Sequence, residues 1–232
     1  IQGILMSPSQ QTLEQTLKQL SKEGELYEKL PDSRVRCFAC GHRCLISDGR
    51  SGVCRVRYNA GGKLYVPTGY VGALQLDPVE KKPFFHALPG SHAMSFGMLG
   101  CDFHCSYCQN WITSQSLRNS EAGAPPQELT AEAFIRLAKQ YNAKIVTSTY
   151  NEPLITSEWG VEIFKIAKKE GLVTSYVSNG NGTKEVLEYI RSWVDLYKVD
   201  LKSFNDQNYR RLGGELKNVL QTIHWLHEMK FW

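Results

Sequence analysis

The sequence predicts an α/β fold: a partial (β/α) barrel preceded by a small β-rich module that carries four cysteines. Two observations carry this. From Ala93 onward, short apolar runs alternate with helical segments four times, and that rhythm implies a parallel sheet with right-handed crossovers. Before it, four of the seven cysteines fall between Cys37 and Cys54 among short alternating runs and glycines, the pattern of a module small enough to need a metal staple. The expected organisation is an N-terminal helix in residues 1–30, the four-cysteine module and a linker in 31–92, and the barrel segment in 93–232.

Leu13, Leu17, Leu20, Leu26 and Leu30 recur at mostly helical spacing between Lys and Glu, which predicts an amphipathic packing helix within residues 10–30, broken or ended near Gly24. Cys37, Cys40, Cys44 and Cys54 follow with the spacing C-x2-C-x3-C-x9-C. Four thiolates close a coordination sphere, so the site suits structural zinc or a second, fully ligated iron–sulfur cluster, and both stay open. Gly41, Gly49 and Gly52 suit the turns of such a knuckle, and His42 is left outside the ligand set. Arg55–Tyr58 and Lys63–Val66 read as strands around an Asn59-Ala60-Gly61-Gly62 turn, and Tyr70–Leu76 as another. Glu80–Ser91 reads as a packed linker with a solvated charge pair.

The barrel strands are expected at Met94–Leu99, Lys144–Thr149, Leu172–Val177 and Leu196–Leu201. Helices are expected at Thr130–Tyr141 with Thr130 as cap, at Glu158–Lys169 with Ser157 as cap and Gly171 as stop, at Lys184–Trp193 with Thr183 as cap, and from about Leu216. Working residues of such a barrel sit at the carboxyl ends of the strands. Cys101, Tyr150-Asn151-Glu152-Pro153, Ser178-Asn179-Gly180 and Asp200-Leu201-Lys202 occupy those places. Helix capping explains any one Asn or Asp there, but explains the set poorly.

The loop after the first strand holds Cys101, Cys105 and Cys108 at C-x3-C-x2-C. Three thiolates hold three corners of a [4Fe-4S] cubane, which normally takes four. The remaining iron is then free to chelate the amino and carboxylate groups of S-adenosylmethionine (SAM), whose reductive cleavage is radical chemistry supplied by the cofactor. A zinc site completed by His104 is disfavoured because His104 adjoins Cys105, and three cysteines do not pair into disulfides.

These residues resemble the radical SAM superfamily, in the branch near the pyruvate formate-lyase activating enzymes, and most of all the radical SAM member of the AmmeMemoRadiSam system. The resemblance covers roughly residues 31–232 and rests on the three cysteines with Gln109-Asn110-Trp111, Asn151-Glu152-Pro153, Ser178-Asn179-Gly180, Asp200-Leu201-Lys202, Glu80-Lys81-Lys82-Pro83, Leu88-Pro89-Gly90-Ser91 and the four-cysteine module. It implies that Cys101, Cys105 and Cys108 bind the cluster and that Tyr107 lies against the adenine of SAM. It also implies that Glu152-Pro153 matches the motif that engages the amino group, with Asn151 beside it in the cofactor site, that Asn179 lies near the ribose or carboxylate, and that Asp200 and Lys202 belong to the SAM site. Tyr150-Asn151 stand where the family motif has two glycines, so the backbone contact there departs from the pattern. The implied activity is reductive SAM cleavage and hydrogen abstraction from a protein or peptide substrate, with a one-electron donor such as flavodoxin or ferredoxin. The family barrel has about six strands, of which four are counted here.

Net charge is +4, too weak to argue for nucleic acid. No apolar run reaches membrane-spanning length, and tight cysteine clusters fit a reducing, cytoplasmic compartment better than a secreted disulfide framework. The chain begins Ile1-Gln2-Gly3 and ends Lys230-Phe231-Trp232 at a helical pattern. A C-terminally truncated fragment is therefore expected, one that holds a cluster yet turns over poorly. The alternative function is a zinc- or iron–sulfur-binding interaction or electron-transfer module on a non-catalytic barrel.

Overall fold

The computed structural model describes residues 12–118 and 125–232. The parts of the expected N-terminal helix before residue 12, and residues 119–124, lie outside it.

Thr12 caps helix α1 (Leu13–Gln19) in a reciprocal capping box with Gln15. The helix stops there, short of the break or end expected near Gly24. Strands β1 (Ser21–Glu23) and β2 (Tyr27–Leu30) replace its second half, because pairing with neighbouring strands outweighs the leucine spacing. Between them Gly24 lies so close to the next strand layer that a Cβ would meet Val66 at 2.6 Å. β2 pairs with β3 (Arg34–Cys37), which pairs with β4 (Leu45–Ile46), all antiparallel. β5 (Tyr58–Ala60) and β6 (Lys63–Pro67) form a hairpin closed on Ala60 and Lys63, with Gly61 and Gly62 both left-handed (φ +63° and +77°) as a two-residue primed turn requires. The strand expected from Arg55 thus begins three residues later. Arg57 is turned inward instead, 1% exposed, with its guanidinium on both oxygens of Glu158 at 2.7 and 2.8 Å.

The run expected as one strand, Tyr70–Leu76, divides at Gly72 into β7 (Tyr70–Val71) and β8 (Ala73–Pro78). β8 leaves the module. It pairs antiparallel with β9 (His92–Gly97) from Ala73 opposite Gly97 to Pro78 opposite His92, as the edge of the main sheet. Gln127–Glu128 (β10) returns to pair with β7. The other main-sheet strands are β11 (Ile145–Ser148), β12 (Val173–Ser178) and β13 (Leu196–Val199), and the order is β13-β12-β11-β9-β8 with the first four parallel. The sheet is open. Beyond its β13 edge, Trp232 exchanges two backbone hydrogen bonds, donating to Asp195 at 3.3 Å and accepting from Tyr197 at 2.8 Å, the exchange a parallel neighbour makes.

Each crossover carries a helix. α2 (Trp111–Ser114) is a single turn after the cysteine loop. α3 (Ala131–Gln140) has the expected Thr130 cap, accepting from Ala133 N–H. α4 (Ser157–Lys169) has Ser157 as its first residue, with the hydroxyl bonded back to Leu154 at 2.9 Å, so the expected Ser157 cap does not form. α5 (Lys184–Ile190) is capped by Thr183 and ends before Trp193. α6 (Asp206–Leu212) was not expected; Asn205 caps it and left-handed Gly213 ends it. α7 (Leu216–Glu228) begins where expected.

One sheet face packs Phe96 edge-on against Phe134, Trp159 and Phe164 of α3 and α4. The other face, through Ala93, Ile145 and Leu196, is covered by Val79, Phe84 and Ala87. The expected linker is therefore part of the core, and Lys82, expected in a solvated pair, is 4% exposed and bonded to Asp77 at 2.7 Å. Module residues such as Leu26, Cys37, Cys54 and Leu64 share one apolar cluster with Met94, Phe134 and Trp159 of the main sheet and its helices.

Candidate cluster and cofactor site

The parallel strands point their carboxyl ends the same way, and the loops that leave them meet in one cavity. It is lined by Cys101, Cys105 and Cys108 after β9, by Asn151 and Glu152 after β11, by Asn179 after β12 and by Asp200 and Lys202 after β13. Tyr150 lines it too, whereas Pro153, Ser178, Gly180 and Leu201 of the expected rim do not, nor does Tyr107. Tyr107 is 59% exposed and outside the lining. His104 is also outside it, with its ring packed on Gly213.

The cysteine wall is backed by apolar side chains. Phe103 packs edge-on against Tyr209, and with Leu212 and Val219 backs Cys101 and Cys105. Burial, then the charges of Asp102 and Glu152, pushes the Cys101 thiol well up; burial also raises Cys105, with Lys202 pulling the other way. Cys108 and the Ser114 hydroxyl lie 3.2 Å apart.

Asp102, in the first gap of the motif, is fully buried and accepts from the side-chain amides of Asn179 and Asn181, both at 2.8 Å. Its carbonyl accepts from His42 at 3.2 Å, and the neighbouring Gly41 N–H donates to the Asn181 carbonyl at 2.8 Å. Left-handed Gly100 (φ +87°) leaves room for Val56 and the Cys54 carbonyl, which a Cβ would meet at 2.7 and 3.0 Å. The four-cysteine module therefore rests directly on the three-cysteine loop. Cys37, Cys40 and Cys54 are buried and Cys44 is half-buried. Burial raises the Cys40 and Cys44 thiols, and pushes Cys54 up to about 12. Among the described residues no group of three or more His, Cys, Asp or Glu is gathered around a point as ligands of a single ion are. Thiolates on separate irons of a cubane need no such convergence.

Glu152 is 2% exposed. It accepts from the Asn179 N–H and the Ser178 hydroxyl, both at 2.7 Å, and from the Leu154 N–H at 3.1 Å. Asn151 accepts from the Met98 N–H at 3.0 Å, tying the loop after β11 to the strand that leads into the cysteines. Asp200 is held between Lys198 and Lys202. Asp102 and Asn181 are the polar residues to which the sequence did not point, although Asp102 had one signal, its place between two cysteines.

A three-cysteine loop at the carboxyl end of a parallel sheet, backed by apolar rings and faced by carboxylate, amide and ammonium groups, defines an enzyme site built for a cofactor. The chain belongs to the radical SAM superfamily, which it matches over residues 97–232, and membership implies a [4Fe-4S] cluster and SAM. The residues present fit: three thiols open on one cavity beside groups that match a zwitterion. The chain is 35% identical over 212 residues to an uncharacterized protein of Methanocaldococcus jannaschii, covering 91% of this chain and 62% of that protein. It is 29% identical over 135 residues to the pyruvate formate-lyase-activating enzyme of Clostridium pasteurianum, covering 56% and 53%, respectively. It is 28% identical over 134 residues to the pyruvate formate-lyase 1-activating enzyme of Escherichia coli K12, covering 54% and 51%. This distant similarity fits the activating-enzyme-like branch. The chain thus spans from about half to just under two thirds of the length of these curated relatives. A crystal structure of QueE from Escherichia coli aligns with TM-score 0.38 and 13% identity over 66% of each chain.

Proposed function

We propose that Cys101, Cys105 and Cys108 hold a [4Fe-4S] cluster with which the protein cleaves SAM reductively and abstracts hydrogen from a protein or peptide substrate. The observation that carries this reading is the single cavity shared by the three cysteines, Asn151, Glu152, Asn179, Asp200 and Lys202. Bound together, the cluster and SAM supply a one-electron cleavage that no side chain here provides. Glu152 and Asp200 would face the ammonium of a bound SAM and Lys202 its carboxylate, while Asn179, whose side chain donates to Asp102 and accepts from the Asn181 N–H, would border the ligand. Tyr107, on the open rim, meets the adenine only after moving inward.

A second cavity of about 430 Å³ adjoins the first and shares Asn110, Thr149, Tyr150, Val177 and Asp200 with it. It lies over the second sheet face and is where a substrate segment would approach. Two relatives are named for activating a protein, pyruvate formate-lyase, which supports a macromolecular substrate for this chain too. The reading includes a reductant of the flavodoxin or ferredoxin kind, a cytoplasmic setting, zinc or a second cluster at Cys37, Cys40, Cys44 and Cys54, and no nucleic-acid or membrane partner. No helix among the described residues is long and apolar enough to cross a membrane. It also takes the four parallel strands as part of a (β/α) barrel of about six, an arrangement supported by the pairing of Trp232 on the β13 edge.

Anaerobic reconstitution tests it. About four irons per chain beyond any metal in the four-cysteine site, with 5′-deoxyadenosine released on adding dithionite and SAM, is the expected result. A Cys101→Ala/Cys105→Ala/Cys108→Ala variant should lose that iron and the product, and its residual metal identifies the occupant of the second site. Unchanged iron in the variant would overturn the assignment.

A further inference from the structure

We propose that Asp77 and Lys82 are positioning residues: they clamp Tyr150 in a left-handed backbone conformation and thereby set the loop that presents Asn151 and Glu152 to the cofactor cavity. The inference rests on reading that cavity as the SAM seat.

Tyr150 has φ +70°, and it is the one aromatic among the eight described non-glycine residues with positive φ. Glycine adopts this region freely, whereas a bulky side chain does so only where its surroundings over-determine it. Here the surroundings do so. The Tyr150 hydroxyl accepts from Lys82 Nζ at 3.0 Å and donates to Asp77 Oδ2 at 3.3 Å. Lys82 Nζ donates to the same Asp77 oxygen at 2.7 Å and stands 4.8 Å from the centre of the Tyr150 ring. Lys81 holds the other Asp77 oxygen at 2.8 Å. Asp77 and Lys82 are 7% and 4% exposed, so the clamp works with little screening by water.

The backbone on the other side has no slack. A Cβ on Gly97 would lie 2.4 Å from the Thr149 carbonyl and 2.8 Å from Tyr150 Cβ. Strand β9 and the turn therefore touch backbone to backbone, and a change of φ at residue 150 has to displace Asn151. Asn151 is bonded to the Met98 N–H, three residues before Cys101. The clamp comes from the segment that precedes the first parallel strand, and Asp77, Lys81 and Lys82 also line the second cavity beside the cofactor site.

The test uses the reconstituted protein and exploits glycine's freedom. Lys82→Met should weaken SAM binding, measured by equilibrium dialysis, about tenfold, with iron content unchanged. Tyr150→Phe, which keeps the ring and removes only the hydroxyl, should weaken it by a smaller factor and serves if Lys82→Met does not fold. Adding Tyr150→Gly to Lys82→Met should restore most of the affinity, because glycine holds a positive φ without a clamp. Hydrogen exchange at the Met98 amide, followed without SAM, should quicken about tenfold in Lys82→Met and return in the double variant. Unaltered affinity and unaltered Met98 exchange in both single variants would overturn the proposal. So would a double variant no better than Lys82→Met, since a lysine that contacts the ligand directly cannot be replaced by backbone freedom. A wild-type protein that binds iron but no SAM would refute the cofactor reading instead, and the Met98 exchange would still decide the clamp.

Discussion

Asp102 and Glu152 are two carboxylates buried at the head of the sheet, joined through Asn179, which donates its side chain to one and its backbone N–H to the other. Burial and the Asp102 charge push the Glu152 carboxyl above the usual range, against the pull of its three donors. A carboxyl whose folded pKa is raised favours the protonated fold. Its contribution is complete below the unfolded value of 4.5 and is lost as pH rises through the folded one. Glu152→Gln cannot titrate, and its amide nitrogen faces the Asn179 donor. The variant should therefore melt below wild type near pH 5, and the gap should narrow towards about pH 9. A gap that stays constant over that range would mean the carboxyl is charged throughout. Bound SAM brings an ammonium and works in the opposite sense, drawing the carboxyl back towards its ionised form.

At the scale of elements, the joint between module and sheet is an ion pair. Arg57 from the turn before β5 and Glu158 in the first turn of α4 are each 1% exposed; the guanidinium also donates to the Ile155 carbonyl at 3.0 Å, while its Nε has no partner. Removing one partner of such a pair strands the other, so Arg57→Met should cost about 3–5 kcal/mol in urea unfolding. Arg57→Met/Glu158→Leu should recover much of this, because two apolar side chains leave no buried charge. A double variant as unstable as the single one would place the effect in packing instead. The elements legible in the sequence were those with local signals: the four parallel strands, the Thr130 and Thr183 caps and the start of α7. Where the signal was non-local the reading failed. The leucines from Leu20 to Leu30 look helical until strand pairing is considered: Lys22 lies opposite Val66, over forty positions on, and Tyr27–Leu30 folds back on Arg34–Cys37. β8 looked like module until it paired with β9. Most of the candidate site was legible because strand-to-loop topology alone gathers its residues. Asp102, the inward Arg57 and the Tyr150–Lys82–Asp77 cluster were not, since each depends on a contact between segments far apart in the chain.

At the scale of the whole molecule, two halves with different architecture share one interior. Val35, Ile46 and Leu64 of the module are as buried as Phe96 and Phe164 of the main sheet and its helices, and all five lie in the same apolar cluster. β8 passes from one half into the other, and the three-cysteine loop rests on Val56 and the Cys54 carbonyl. A shared core does not let one half unfold and leave the other intact, because the exposed face would cost roughly 25 cal/mol for each Å² of apolar surface returned to water. The protein carries a natural pair of probes for this. All five tryptophans lie after residue 110 and report on the sheet and its helices, while Cys37, Cys40 and Cys54 are buried in the module. Metal-free protein titrated with urea should lose Trp159 burial, followed by fluorescence, and gain thiol reactivity at the module in a single coincident transition. A module that becomes reactive at a urea concentration where the fluorescence is still native would show two independent units. The contacts of Asp102 with His42 would then be a docking surface, and the four-cysteine site could be emptied without disturbing the cluster loop beside it.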